Sequence, residues 1–188
     1  NSIDAVYTEY YETSRRVFDV KAAILPLINR EKITIKKRLD QFAIQVQEFR
    51  NDFLRTLPFN YDEKMEINQI NSCYDLLTEY YKKLCVIEAE AREYENLENL
   101  FELEQTNYKQ LKDCKQDLKN LKIFWDACAM VTYTYNNWKQ KSWKSIKSDV
   151  LQETNKVLSN QIKTLPKEIR NFKGYSVIEK KVKNMQTL

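Results

Sequence analysis

Glycine is nearly missing from this chain: Gly174 stands alone among 188 residues. Average usage near 7% would give roughly thirteen. Tight hairpin turns and phosphate-cradling loops need positive φ, which glycine enters without steric cost. A chain so poor in glycine is ill suited to sheets or nucleotide loops and well suited to helices. Neither G-x-x-x-x-G-K-S/T nor G-x-G-x-x-G occurs, which argues against nucleotide binding within these residues. Histidine is absent altogether, removing the commonest general base and metal ligand. Without it no Ser-His-Asp or Cys-His nucleophile system can be assembled. No apolar run approaches the roughly 20 residues that cross a bilayer, and no signal-peptide pattern opens the chain. The first residue is Asn1 rather than methionine, so the sequence reads as a piece of something longer.

Four cysteines are present, Cys73, Cys85, Cys114 and Cys128, with no C-x-x-C spacing. Each falls in an apolar helical pattern and reads as a small core residue of a reduced, cytosolic-type protein. A zinc site would need histidine or closer cysteine pairs. Carboxylate pairs abound, for example Glu88 with Arg92 one turn on, and helix-surface pairing explains them. The expected catalytic, cofactor-binding and metal-ligating residues are therefore none.

What is present is 43% hydrophobic and 31% charged, a composition neither disordered nor membranous. The net charge of +4 is unevenly spread. Residues 85–104 hold seven Glu against Arg92, and residues 139–188 hold twelve Lys or Arg against four acids. Solvated helix faces account for both blocks, while nucleic-acid or anionic-membrane contact is the alternative.

Apolar residues recur at steps of three and four along most of the chain. A first helix is expected from about Ser2 to Leu25, with Ile3, Val6, Tyr7, Tyr10, Tyr11, Val17 and Phe18 on its apolar side. Pro26 should end it. A second is expected over 31–56, seamed by Ile35, Leu39, Phe42, Val46, Phe49, Phe53 and Leu57 and closed by Pro58. A third covers 62–98 through Ile70, Tyr74, Leu77, Tyr81, Leu84, Ile87, Ala91, Tyr94 and Leu97. The fourth begins at Thr106 as N-cap and carries Leu111, Cys114, Leu118, Leu121, Trp125, Cys128, Thr132 and Tyr135, a heptad-type seam. A fifth spans 148–165, with Leu151, Thr154, Leu158, Ile162 and Leu165 inward, and Pro166 starts or interrupts a short helix ending near Phe172. Gly174 fits a left-handed stop, and Ser176 with Glu179 forms a capping box for a last helix through Ile178, Val182 and Met185. The fold class predicted is all-α, an elongated antiparallel bundle of long helices. Two segments are expected, a tail bundle over 1–104 and junction helices over 105–188.

All three tryptophans lie between Leu121 and Trp143. With neighbouring lysines, Trp138 and Trp143 could stack bases. Yet Trp125 and Trp138, thirteen positions apart, sit about 140° from each other at 100° per residue. They do not form one platform. Core packing for Trp125 and half-exposed packing for Trp138 and Trp143 is the reading preferred. On residues alone a free-standing adaptor that binds a partner helix remains open.

Three segments in order carry a resemblance: LFELEQTNYKQLKDCKQDLKNLKIFWD (100–126), WKQKSWKSI (138–146) and LPKEIRNFKGYSVIEKKVKNM (165–185). With FRNDFLRTLPF (49–59) upstream, they resemble the N-terminal region of dynein heavy chains where tail passes into linker, most closely those of outer-arm axonemal dyneins. Phe172, where the family often has Trp, and Lys147-Ser148 depart from that pattern. The resemblance implies a structural, force-transmitting segment of a microtubule motor, with localisation in cytoplasm, cytoskeleton and the axoneme of a cilium or flagellum. It implies ATP and Mg²⁺ sites downstream in the parent chain and no cofactor here. Implied partners are the rest of the same heavy chain with its AAA+ ring, other dynein arm subunits and, indirectly, the microtubule doublet, with no nucleic acid and no membrane.

Overall fold

A sequence with apolar side chains every three or four positions and one glycine has little but helix available to it. A computed structural model describes residues 2–142 and 147–185. In order they form α1 (Ser2–Thr56), α2 (Ile67–Leu100), α3 (Lys109–Gln140), α4 (Ser148–Lys163), a 3-10 turn (Ile169–Asn171) and α5 (Lys173–Asn184). Among the described residues there is no strand, and the fold is all-α as predicted.

The stop expected at Pro26 does not occur, because α1 runs through it. An interior proline costs a helix about 3 kcal/mol. Here Ala22, whose carbonyl loses its partner, is exposed to water, as are Leu25 and Leu27. Solvent takes the freed carbonyl, and the helices expected on either side fuse into one. Pro58 does follow the end of α1.

The start of α2 falls five residues later than expected. Asp62 draws the Lys64 N–H onto its own carboxylate at 2.9 Å, and Met65 N–H closes a turn on the Asp62 carbonyl at 3.0 Å. Such local bonds compete with the helix. Glu66 then acts as cap: its N–H donates to Gln69 Oε1 at 2.9 Å, while Gln69 N–H donates to the Glu66 carbonyl at 3.1 Å. The Gln69 side chain thus supplies one half of a capping box.

Two further caps differ from expectation. Thr106 does not cap α3; its N–H and hydroxyl both donate to the buried Glu98 carboxylate, the hydroxyl at 2.6 Å. Gly174 is no left-handed stop either. It lies in the first turn of α5 with no positive φ, so Ser176 sits inside that helix and its hydroxyl donates to the Lys173 carbonyl at 3.2 Å. The left-handed residue is Glu102, with φ 51°. Beside it Leu103 N–H donates to the Glu98 carbonyl at 2.8 Å and Glu102 N–H to the Asn99 carbonyl at 3.3 Å. That pair of bonds is a Schellman stop to α2.

The chain divides into two compact units, one of residues 1–47 with 89–108 and one of 48–88 with 109–188. In the first, Ile35, Leu39, Phe42 and Val46 are buried on α1 and Ala91 on α2. Phe42 packs 4.9 Å from the Tyr94 ring and edge-on at 5.0 Å to Tyr108. The apolar side drawn for residues 6–18 is not a packed face: Val6, Tyr7, Tyr10, Tyr11, Val17 and Phe18 are all exposed. The Ile3 side chain lies outside the described residues.

In the second unit the α3 seam is buried at every predicted position from Leu111 to Tyr135. Phe53, Leu57, Ile70, Leu77, Leu84 and Ile87 are buried as well. One α2 position was misassigned: Tyr80 is buried and Tyr81 exposed. Tyr80 is drawn in because its ring meets Phe49 and Phe53 while its hydroxyl donates to Asp52. Nor does Glu88 pair with Arg92 as expected. It accepts from Lys115 of α3 at 3.1 Å.

Candidate functional site

The most heavily cross-linked part of the second unit is where residues 57–65, α3 and α5 meet. Trp125 brings the largest apolar body there and is fully buried. Its indole N–H needs an acceptor once water is gone, and it finds the Pro58 carbonyl at 3.0 Å. The ring meets Phe124 at 5.4 Å and Tyr61 at 6.1 Å, both edge-on. Phe172 extends the cluster, edge-on to Phe59 at 5.3 Å and to Phe124 at 5.8 Å.

Gly174 permits the approach. A methyl group in its place would stand 2.5 Å from the Tyr61 backbone nitrogen and 2.8 Å from Phe124 Cζ. The chain's lone glycine thus serves close packing of α5 against residue 61.

Polar groups lock the same joint. Lys181 Nζ donates to the Tyr61 hydroxyl and to the Glu63 carbonyl, both at 2.8 Å. An ammonium has only donors, so Tyr61 accepts from it, and the Tyr61 hydroxyl shares a second hydrogen bond of 3.2 Å with Thr132 Oγ1. The Thr132 hydroxyl, an oddity in an apolar seam, is satisfied in this way. On the far side Tyr135 donates to Asn155 Oδ1 at 2.6 Å, and Asn155 Nδ2 donates to the Val182 carbonyl at 3.1 Å. That one amide ties α3, α4 and α5. Burial pushes the Tyr135 hydroxyl and the Cys128 thiol well above their ordinary pKa ranges, so both stay neutral.

A second tie joins α1 to α3 through Arg50. Its guanidinium meets Asp117 at 2.7 Å and the Cys114 sulfur at 3.4 Å. The arrangement holds elements together and offers no activated nucleophile. Among the described residues no cluster of His, Cys, Asp or Glu could hold a metal ion, and no helix is long and apolar enough to cross a membrane. The four cysteines are free, with Cys73, Cys114 and Cys128 buried and Cys85 half-buried.

Of the tryptophans, Trp125 is core and Trp138 half-buried, stacked 5.1 Å from Tyr135. Trp143 lies outside the described residues. The residues that the sequence did not disclose are Tyr61, Lys181, Asn155 and Glu98. Asn155 carried a signal, since it sits four residues after Leu151 and three before Leu158, on the stripe read as inward. Lys181, one of many lysines, carried none.

Residues 111–188 match the family model for the dynein heavy chain, N-terminal region 2. The flagellar outer-arm dynein beta chain of Chlamydomonas reinhardtii is 30% identical over 195 residues, spanning 100% of this chain. Dynein axonemal heavy chain 17 of Mus musculus is 28% identical over 179 residues, or 95% of the chain. The flagellar outer-arm dynein alpha chain of the same alga is 25% identical over 97% of it. In each case the chain spans about 4% of the relative's length. With relatives along the whole of it and the family model over its C-terminal part, the chain belongs to the axonemal dynein heavy chains, in their N-terminal region.

Proposed function

We propose that these residues transmit force as part of an axonemal dynein heavy chain, with the tail ending near residue 104 and its junction with the linker beginning near 105. The observation that carries this reading is the joint around Trp125, Tyr61, Gly174 and Lys181. Edge-on rings, a close backbone approach and hydrogen bonds fasten residues 57–65, α3 and α5 to one another. Interiors packed like solids pass strain on instead of absorbing it. A motor segment needs that property, because a compliant one would dissipate displacement before it reached a cargo or doublet.

ATP hydrolysis belongs to the parent motor, with its nucleotide and Mg²⁺ sites downstream and its working place the axoneme of a cilium or flagellum. The rest of the heavy chain and other subunits of the arm are the proposed partners. Softening the joint separates mechanics from chemistry. In the parent heavy chain, Tyr61→Phe with Lys181→Met removes the polar ties but keeps most of the packing. Microtubule-gliding velocity should fall severalfold while ATP turnover in solution stays near wild type. Unchanged gliding, or an equal loss of turnover, would overturn the proposal.

A further inference from the structure

In the first unit the buried seam of α1 has an uncovered continuation. With 3.6 residues per turn, the buried Ile35, Leu39, Phe42 and Val46 fall within about 60° of one another around the helix. Tyr10, Val17 and Ile24 fall within about the same 60°, yet all three are exposed. The cover given by α2 runs out first: Phe42 meets Tyr94, and α2 stops at Leu100, about 9 Å farther along its own axis.

The bare surface is also wider than the seam it prolongs. Tyr7, Phe18 and Leu25 make a second exposed row about 90° from the first. Val20 and Leu27, exposed as well, extend the other edge until the apolar arc spans about 180°. Along the axis, from Tyr7 to Leu27, it runs for about 30 Å. Of the charged residues in that stretch, Glu12, Arg15, Arg16 and Asp19 lie in the opposite half, Glu9 at the edge and Lys21 within the arc. Pro26 lies in the polar half too, so the carbonyl it frees stays in water when the arc is covered.

A helix packed on one neighbour needs an apolar stripe of about 100°, and an arc nearly twice as wide fits two. Faces this apolar resemble a domain core cut in half, the mark of permanent association. Acids and bases are mixed on the flank, so the face selects by shape and apolar contact. The seam that it continues is made within one polypeptide, and the chain spans about 4% of each relative's length. Tethered segments reach millimolar local concentrations, which favours the same polypeptide over a separate subunit.

We infer that the arc of α1 from Tyr7 to Leu27 is covered by two helices of the same heavy chain from outside these 188 residues, one on the Tyr10–Val17–Ile24 row and one on the Tyr7–Phe18–Leu25 row. The inference deepens the partner reading above by naming the face on which the rest of the heavy chain sits. Its readouts are protection and cross-linking, so it can fail while the gliding result stands, and the reverse.

The test compares the 188-residue chain with the parent heavy chain by hydrogen exchange. Amides of residues 5–27 should exchange at least a hundredfold more slowly in the parent. Val17→Lys with Ile24→Lys in the parent should abolish that protection and leave Leu118–Tyr135 as protected as before. Glu12→Ala with Arg15→Ala, on the polar half, should change neither. A photoreactive phenylalanine placed at position 17, and separately at 18, in a mixture of isotopically light and heavy parent chains should cross-link within one chain, to a different helix from each position. Equal exchange in the two proteins would overturn the inference. Cross-links between light and heavy chains would give the face to a second copy, and cross-links to another subunit would give it to that subunit, each with the same consequence.

Discussion

Gly174 shows how one side chain's absence shapes a joint. In a helix, alanine is normally better than glycine by about 1 kcal/mol. Here the added carbon would meet backbone at 2.5 Å, and overpacking of this kind costs about 1–3 kcal/mol. Gly174→Ala should therefore destabilise the chain by a net of up to about 2 kcal/mol, seen as a lower urea midpoint, despite improving helix propensity. The cysteines give a second residue-scale test. Burial raises the pKa of Cys73, Cys114 and Cys128, most strongly that of Cys128, and the thiolate is the reactive form. Native chain treated with an aromatic disulfide reagent should release about one equivalent quickly, from Cys85, and the other three only in denaturant. Rapid reaction at Cys128 would contradict its burial.

At the scale of elements, the end of α2 and the loop that follows it depend on Glu98. This buried carboxylate receives both the N–H and the hydroxyl of Thr106, and its own carbonyl closes the Schellman turn. Left-handed φ at a non-glycine residue costs about 1–2 kcal/mol, so Glu102→Gly should stabilise the chain by about 1 kcal/mol, seen as a higher thermal midpoint. The same loop marks how far the sequence was legible. The seams of α3 and of α1 beyond Ile35 were readable, because periodic burial is a sum over many residues and survives single errors. The caps were not. Thr106 and Ser176 have the right residue types, but Thr106 is claimed by a carboxylate eight positions earlier and α5 begins three residues before Ser176. Pro26 was misread for a related reason: its penalty is local, and water around exposed Ala22 reduces it. The joint itself was half legible. Trp125 and Thr132 lay on the predicted seam, whereas Tyr61 and Lys181 come together only through tertiary packing across 120 positions.

For the whole molecule, stability is graded along the chain. Residues 5–27 of α1 are almost wholly exposed, whereas α3 buries twelve side chains. Helix without burial is marginal in water, and hydrogen exchange reports such local differences. Backbone amides in residues 5–27 should exchange orders of magnitude faster than those of Leu118–Tyr135, and uniform protection would refute the grading. The Lys181 tie has one more consequence, for biosynthesis. Tyr61 and Trp125 are synthesised before α5. A chain truncated ahead of Gly174 would therefore lack the helix that packs on Tyr61 and Phe124 and the lysine that ties Tyr61.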